Sequence, residues 1–226
     1  MSNGDHHHAT RRARRSLAGG TERETGRLEA FSDAIFAIAI TLLILDVKLP
    51  PSEGNAHLLS SLLALWPSYF ALAFSFVVIG IYWSNHHYIF KLFRNTDHIF
   101  NLLHLLFLLT ISILPFPTRV LADYIESEQD RVTGVAFYTL ALLLPAVSWF
   151  AFWAYARWGS EIVDPRLQDK FLRRLTLEYG GSVVLYLLAF VITIAVNVWA
   201  GLALAIGLTL LYLLPQPRPL YDENVR

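Results

Sequence analysis

Hydrophobic residues form long runs along this chain, and polar and charged residues gather between the runs. An α-helix needs ~20 mostly apolar residues to cross the hydrocarbon of a bilayer. Apolar runs of about that length predict membrane-spanning helices, and we also take the shorter last run, 202–214, as a span. The six runs cover about residues 27–48, 67–81 with a continuation into 82–94, 98–120, 132–155, 177–196 and 202–214. The pattern therefore predicts an all-α membrane protein with six transmembrane helices.

Residues between and within the runs predict where helices begin, bend and end. Pro67 suits the first turn of the second helix, and Pro115 and Pro117 should kink or terminate the third. We also expect a short extra helix within 58–66. The charged connector 157–174 is expected to be in part an amphipathic helix along the membrane surface.

The first run, 27–48, carries the most specific pattern. Only twelve residues without charge separate Asp33 from Asp46, which is short for a helix that faces lipid all round. We therefore expect neighbouring helices to shield it. Steps of three and four residues define a stripe on one side of this helix. The stripe consists of Arg27, Phe31, Ala34, Ile38, Thr41, Leu45 and Lys48.

The stripe has two interpretations. Copies of the helix around a shared axis would stack Ile38, Thr41 and Leu45 as successive rings. Ordinary core packing uses the same spacing, and the Thr41 hydroxyl could simply bond a carbonyl one turn earlier. Similarly, Asp46 could draw cations to an outer mouth or could be a solvated helix end.

Composition agrees with a membrane protein. The chain is 55% hydrophobic and 16% charged, against about 25% charged in a typical soluble domain. Net charge is zero, which gives no reason to expect a nucleic-acid partner. The absence of cysteine excludes disulfides, thiolate metal sites and thiol catalysis.

The placement of charge predicts the orientation. With a cytoplasmic N-terminus, fifteen of the 18 Lys and Arg residues fall on the inner side, and only Lys48, Arg119 and Arg131 fall outside. We therefore expect a multi-pass protein of the plasma membrane with both termini in the cytoplasm. The predicted domains are a disordered basic tail (1–25), a six-helix transmembrane domain (26–215) and a flexible C-terminal tail (216–226).

Two polar groups sit at membrane depth. One is R-x-x-x-F-S-D (27–33); the other is W-S-N-H-H (83–87), followed by Asp97, His98, Asn101 and His104. An ionisable side chain in a membrane is costly unless paired, so Asp33 should have a partner on another helix. The expected partners of Ser32 and Asp33 are Arg27, Trp83, Asn85 and His86.

These groups predict either a buried hydrogen-bond network or a metal or proton site. We favour the network and expect no metal, because no carboxylate and histidine have the helical spacing of a ligand pair within one span. His86 and His87 are adjacent, so on a helix they diverge.

Several familiar signatures are missing from the sequence. There is no T-V-G-Y-G filter loop, arginine-rich voltage sensor, phosphate-binding glycine loop, H-E-x-x-H or G-x-S-x-G. We therefore expect neither an enzyme nor a cofactor.

The R-x-x-x-F-S-D motif at Arg27–Asp33 is followed by A-x-x-x-T-L-L at 37–43, Y-W-S-N-H-H at 82–87 and P-F-P-T at 115–118. In these motifs the chain resembles the transmembrane protein 175 family, the endolysosomal potassium channels and their bacterial relatives. The resemblance covers about residues 27–214 and leaves out both tails.

The resemblance implies a potassium-selective passive cation channel without a P-loop. Four six-helix subunits would surround a pore lined by the first helix of each. The partners implied are other copies of the chain, the bilayer, and K⁺ with other monovalent cations to a lesser extent. The constriction, serving as hydrophobic gate and selectivity filter, would consist of Ile38, Thr41 and Leu45, with Asp46 at the outer mouth.

The family motif also implies a network that anchors the pore helix. On the α1 side its members would be Arg27, Phe31, Ser32 and Asp33 of the motif. Their partners here, Trp83, Asn85 and His86, are our own inference from this sequence. Two alternatives to a channel remain from the residues themselves. One is a proton-coupled secondary transporter that uses Asp33 with His86 or His104 as a relay; the other is a membrane enzyme or haem protein that uses the histidines.

Overall fold

The structure is a computed structural model that describes residues 4–45, 47–48 and 58–222. Within these ranges the chain is helical, and its only β-pairing is two isolated bridges. The helices are α1 (Gly4–Leu45), α2 (Leu58–Ala64), α3 (Trp66–Phe90), α4 (His98–Ile113), α5 (Pro115–Tyr124), α6 (Arg131–Ala154), α7 (Asp169–Ala195) and α8 (Val198–Leu211). The predicted all-α class is confirmed.

Five helical stretches of the described residues are long and apolar enough to cross a membrane. They are Thr25–Leu45, Trp66–Phe90, His98–Tyr124, Arg131–Gly159 and Asp169–Ala195, and they coincide with the first five predicted spans. The sixth apolar helix, α8, has 14 residues and is about 21 Å long. That is shorter than the ~30 Å hydrocarbon core, so a count of six spans stays a prediction.

Helix α1 begins much earlier than the sequence predicted. It starts at Gly4 and so takes in most of residues 1–25, which were expected to be a disordered tail. The segment contains five arginines, and arginine is a good helix former. Extending an existing helix also avoids the cost of nucleation. Asp46 lies outside the described residues.

Prolines mark helix boundaries as predicted. Pro67 stands in the first turn of α3, and Pro115 opens α5 directly after Leu114 ends α4. The third span is therefore two helices joined at one residue. Proline fits the first turn of a helix because the N–H that it lacks would have no partner there.

The predicted amphipathic helix is found only at the end of the connector after α6. Residues 169–174 form the first turns of α7, where Phe171 and Leu172 are buried and the four charged side chains are exposed. A π-helical turn, Tyr155–Gly159, ends α6, and an irregular segment leads to α7. In that segment the Asp164 carboxylate accepts hydrogen bonds from Arg166 (2.6 and 3.1 Å) and faces Arg94 at 3.4 Å. Pro165 explains why the segment between Gly159 and Asp169 is not helical, because proline has no N–H and disfavours helical backbone in the preceding residue.

The core lies around α6, which packs against α4, α5, α7 and α8, while α1 packs against α3 and α4. Aromatic rings fill the centre: Phe107 contacts Trp149 edge-on at 5.1 Å between centroids, and Trp149 contacts Phe152 at 4.9 Å. Edge-to-face contacts of this kind stabilise beyond the area they bury.

The C-terminal segment, defined as residues 212–222, folds back onto the membrane domain. The Tyr88 hydroxyl donates to Pro217 O (2.6 Å), and the Gln216 amide donates to Asn85 (2.9 Å). Further on, Leu167 and Tyr221 form an isolated bridge. The tail that composition predicted to be flexible is therefore held in place as far as residue 222.

Candidate functional site

Helix α1 has two sharply different faces. Its buried face carries Ser32, Phe36, Ala39 and Leu43, each no more than 2% exposed. These residues follow the 3–4 spacing of a helix side that packs on neighbours, here α3 and α4. The opposite side of α1 is left open by its own subunit.

The predicted constriction residues all lie on the open side. Ile38 is 58% exposed, Leu45 is 68% exposed, and Thr41 between them is also exposed. Packing inside the subunit therefore does not explain the stripe. The Thr41 hydroxyl donates to Ile38 O at 2.9 Å, as the simpler interpretation of this residue predicted.

Ser32 connects α1 to two other helices. Its hydroxyl donates to Leu28 O (2.7 Å), and its oxygen lies 3.5 Å from His104 Nε2 on α4. His104 Nε2 in turn lies 2.8 Å from His86 Nε2 on α3. The direct side-chain partner of Ser32 is thus His104 rather than any of the four expected residues, and His86 is reached through it.

The geometry constrains the protons of this pair. Two neutral imidazoles that face each other through Nε2 need one donor and one acceptor. Because the Ser32 hydroxyl proton is given to Leu28 O, the Ser32 oxygen can accept, which favours an Nε2–H on His104. The Nδ1 of His104, which is buried without a partner among the described residues, is then an acceptor. This assignment follows from the hydrogen-bond network.

Aromatic rings join the same contact. Phe36, from the buried face of α1, meets the His86 ring edge-on at 5.6 Å between centroids. On the other side His86 stacks on Phe90 at 4.2 Å. The position of α1 therefore depends on both the hydrogen bonds and the packing of the imidazole pair.

Asp33 is joined to one of its expected partners. The Trp83 indole N–H donates to Asp33 Oδ1 at 2.9 Å, which links α1 to α3 a second time. The other two expected partners do not join in: Arg27 is exposed and makes no hydrogen bond or ion pair with described residues, and Asn85 instead accepts from Gln216. Phe31 is 49% exposed and lies on the open side of α1.

The remaining polar candidates are structural or exposed. Asp97 caps α4 by accepting from Phe100 N (2.8 Å) and also accepts from the Tyr155 hydroxyl (2.9 Å). His87 and His98 are exposed. Across the described parts of the chain, no three His, Asp or Glu side chains are grouped so that they could hold a metal ion.

Residues 27–115 match the family described as Endosomal/lysosomal potassium channel TMEM175. A potassium channel of Streptomyces collinus is 40% identical over 157 residues, which make up 70% of this chain and 76% of that protein. A potassium channel of Chamaesiphon minutus is 37% identical over 195 residues, covering 85% of this chain and 95% of that protein. This chain belongs to the TMEM175 family.

The fold of the TMEM175 family is also found here. A crystal structure of a lysosomal potassium-selective channel TMEM175 homolog from Chamaesiphon minutus matches with a TM-score of 0.76 and 36% identity. The match covers 84% of this chain and 97% of that one. The family resemblance seen in the sequence is therefore confirmed.

One contact in this TMEM175 family member was not predicted from the sequence, although a simple signal indicates it. Helices α3 and α4 are joined by the short link 91–97, so residues at similar distances from the link lie at similar depth. His86 and His104 are such residues, and both are buried. Two histidines at matching depth on a helical hairpin predict a facing pair.

Proposed function

We propose that this chain forms a potassium-selective passive cation channel of the cell membrane, in which four copies surround a pore lined by α1. Its relatives in Streptomyces collinus and Chamaesiphon minutus are named potassium channels, and the similar crystal structure is of a potassium-selective channel. K⁺ is the permeant ion, and the bilayer and other copies of the chain are the partners.

The observation that carries the proposal is the open stripe on α1. Ile38 and Leu45 are more than half exposed, although the part of α1 that contains them, Thr25–Leu45, is among the most apolar stretches of the described chain. A second observation sets the stripe apart from a plain lipid-facing surface. It contains the hydroxyl of Thr41, midway between two aliphatic side chains, where a polar group facing lipid gains nothing.

The geometry of Thr41 suits a cation. Its hydroxyl proton is engaged by Ile38 O, so the oxygen presents lone pairs to anything that approaches from the open side. In a ring of four copies these oxygens replace part of the water that K⁺ loses between the aliphatic rings. The Ile38 and Leu45 rings also gate the pore, because a narrow hydrophobic constriction loses its water.

The contacts that join α1 to α3 and α4 serve as the anchor of the pore helix. Ser32 acts with His104 and His86, and Asp33 acts with Trp83, so α1 is tied to both α3 and α4. Because these contacts lie between two and three turns before Thr41, a displaced anchor would tilt the constriction. Arg27, Phe31 and Asn85, which we expected in this network, make no such contact among the described residues.

The orientation belongs to the same proposal. The excess of Lys and Arg places both termini in the cytoplasm, and Asp46 then follows the constriction at the outer mouth. The anchor contacts, near the start of the span, lie toward the cytoplasmic side.

Ion flux into liposomes under K⁺ and Na⁺ gradients tests the proposal. We expect wild-type protein to pass K⁺ faster than Na⁺. Ile38→Asn should let more water into the constriction and so lower the preference for K⁺ over Na⁺. Thr41→Ala should reduce K⁺ flux. Ile44→Asn is the matched control, since Ile44 is 56% exposed on the same helix but lies about 100° around its axis from Leu45.

Flux that responds to Ile44→Asn as strongly as to Ile38→Asn would remove the proposed lining. The proton-coupled transporter has less support, because the hydrogen bonds among described residues do not connect Asp33 with either imidazole. It predicts saturable flux and proton movement that is coupled to substrate. A channel predicts neither.

A further inference from the structure

The short helix α8 leaves part of the inner half of the membrane domain uncovered. It begins beside the start of α6, where the Arg131 guanidinium lies 5.3 Å from the centre of the Trp199 ring, and the orientation proposed above makes this the outer side. Its 14 residues extend about 21 Å, against a hydrocarbon core of ~30 Å. A helix of this length that starts at the outer edge ends about 9 Å short of the inner edge.

The C-terminal segment crosses this gap without forming a helix. Non-helical backbone is tolerated at membrane depth only where its polar groups are satisfied inside the protein. Leu213 N and Leu214 N donate to carbonyls three residues earlier. Pro215 and Pro217 have no N–H to satisfy, and Pro217 O accepts from Tyr88.

A cavity of about 380 Å³ remains between α7 and the C-terminal segment. Five leucines line it: Leu177, Leu185, Leu208, Leu211 and Leu214. At its inner rim Arg174 donates to Glu178 at 3.0 Å, and the Arg174 side chain is 64% exposed. A Cβ added at Gly181, on the wall of the cavity, would meet no atom within 4 Å.

We infer that this cavity binds one inner-leaflet phospholipid, with an acyl chain along the leucines and the phosphate at Arg174. The cavity is lined by apolar side chains at depth and by a basic side chain at the inner rim. A phospholipid of that leaflet is arranged in the same way, with its acyl chains at depth and its headgroup at the surface. An exposed i, i+4 ion pair contributes little, so Glu178 does not prevent the guanidinium from binding phosphate bidentately. Anionic lipids of the cytoplasmic leaflet are favoured by nearby arginine.

Native mass spectrometry of the purified protein, titrated with phosphatidylglycerol or with phosphatidylcholine of the same acyl chains, tests the site. We expect one tightly held lipid per subunit, with phosphatidylglycerol preferred. Gly181→Leu should remove most of this binding by filling the cavity. Gly207→Leu is the matched control, because a Cβ there also meets no atom within 4 Å but Gly207 does not line the cavity.

Two further variants separate the chain from the headgroup. Gly181→Ala, which fills less space, should give intermediate binding and keeps the test valid if the leucine variant fails to fold. Arg174→Gln should leave a lipid bound but lower the preference for phosphatidylglycerol about fivefold, as expected of one arginine near an anionic surface.

Equal lipid binding by Gly181→Leu and Gly207→Leu would overturn the site. So would a change in oligomer size in Gly181→Leu with lipid binding intact, because the cavity would then be a contact between copies. The assignment to the inner leaflet rests on the orientation given under the proposed function. Neither outcome depends on ion flux, so the lipid site and the proposed channel can still fail separately.

Discussion

The indole N–H of Trp83 donates to the carboxylate of Asp33 at 2.9 Å and so ties the first membrane helix to α3. Both side chains are exposed within the subunit, so the rest of the chain protects the bond only in part. A hydrogen bond to a charged group contributes about 1.5–3 kcal/mol when it is protected. We therefore place this one at about 1 kcal/mol.

Asp33→Ala and Trp83→Phe should each lower the melting temperature of the protein in mild detergent, and the double variant should lose no more than the larger single loss. That non-additivity is the sign that both residues act through one bond. Trp158→Phe is the matched control. Trp158 is 65% exposed and lies in the π-helical turn after α6, outside the two helices that the bond joins. Fully additive losses would show that the bond contributes nothing.

The imidazole pair predicts a different pattern. His86 and His104 are both almost fully buried and face each other at 2.8 Å, so His86→Phe or His104→Phe leaves one buried imidazole without its partner. Each single variant should be destabilised by about 1–3 kcal/mol. The double variant should recover part of that loss, because no polar group is then stranded. Unfolding free energies from a four-member cycle measure the coupling, and a double variant worse than the sum of the singles would contradict it.

Much of the fold was readable from the sequence because the signals were local. Apolar runs and the prolines at 67 and 115 predicted helices and their ends. The spacing along 27–48 identified a stripe but did not decide between a shared axis and ordinary core packing; in the structure Ile38 and Leu45 are exposed within the subunit. The sixth span is the one that the structure does not confirm, because its helix is short. Residues 202–214 are apolar, but the helix ends at Leu211. A hydropathy pattern does not reveal that the chain after Leu211 stays non-helical.

The contacts that were missed are distant in sequence. Gln216 binds Asn85 across 131 positions, and nothing local to a proline-rich tail predicts such a partner. Composition therefore suggested a flexible end. The sequence also predicted Asn85 in the α1 network, because its neighbours Trp83 and His86 belong to that network. On α3, however, adjacent residues point in different directions.

Acidity should weaken the connector that leads to α7. Hydrogen bonds from Arg166 hold the pKa of Asp164 below its ordinary value, and nearby Arg94 acts in the same direction. A carboxyl whose pKa is depressed by folding stabilises the fold above its unfolded pKa of ~3.9, and that stability is lost as the pH falls through the folded value. Melting temperatures of wild type and Asp164→Asn should therefore differ at pH 7 and converge below about pH 4. A difference that persists unchanged at low pH would show that the charge of Asp164 is irrelevant.

The hairpin of α7 and α8 depends on one glycine. A Cβ at Gly201 would lie 2.0 Å from Thr193 Oγ1 and 2.6 Å from Ala189 O, so even alanine forces the two helices apart. The shift would also disturb the hydrogen bond from Thr193 to Ala189 O (2.8 Å). Gly201→Ala should therefore lower the melting temperature. Gly207→Ala, six residues further along the same helix, should raise it slightly, because the site is open and alanine is the better helix former by about 1 kcal/mol. Thermal melts of the two variants side by side separate the effect of the close approach of α7 and α8 from that of helix propensity. A Gly201→Ala protein as stable as Gly207→Ala would show that α7 and α8 do not need to touch at this point.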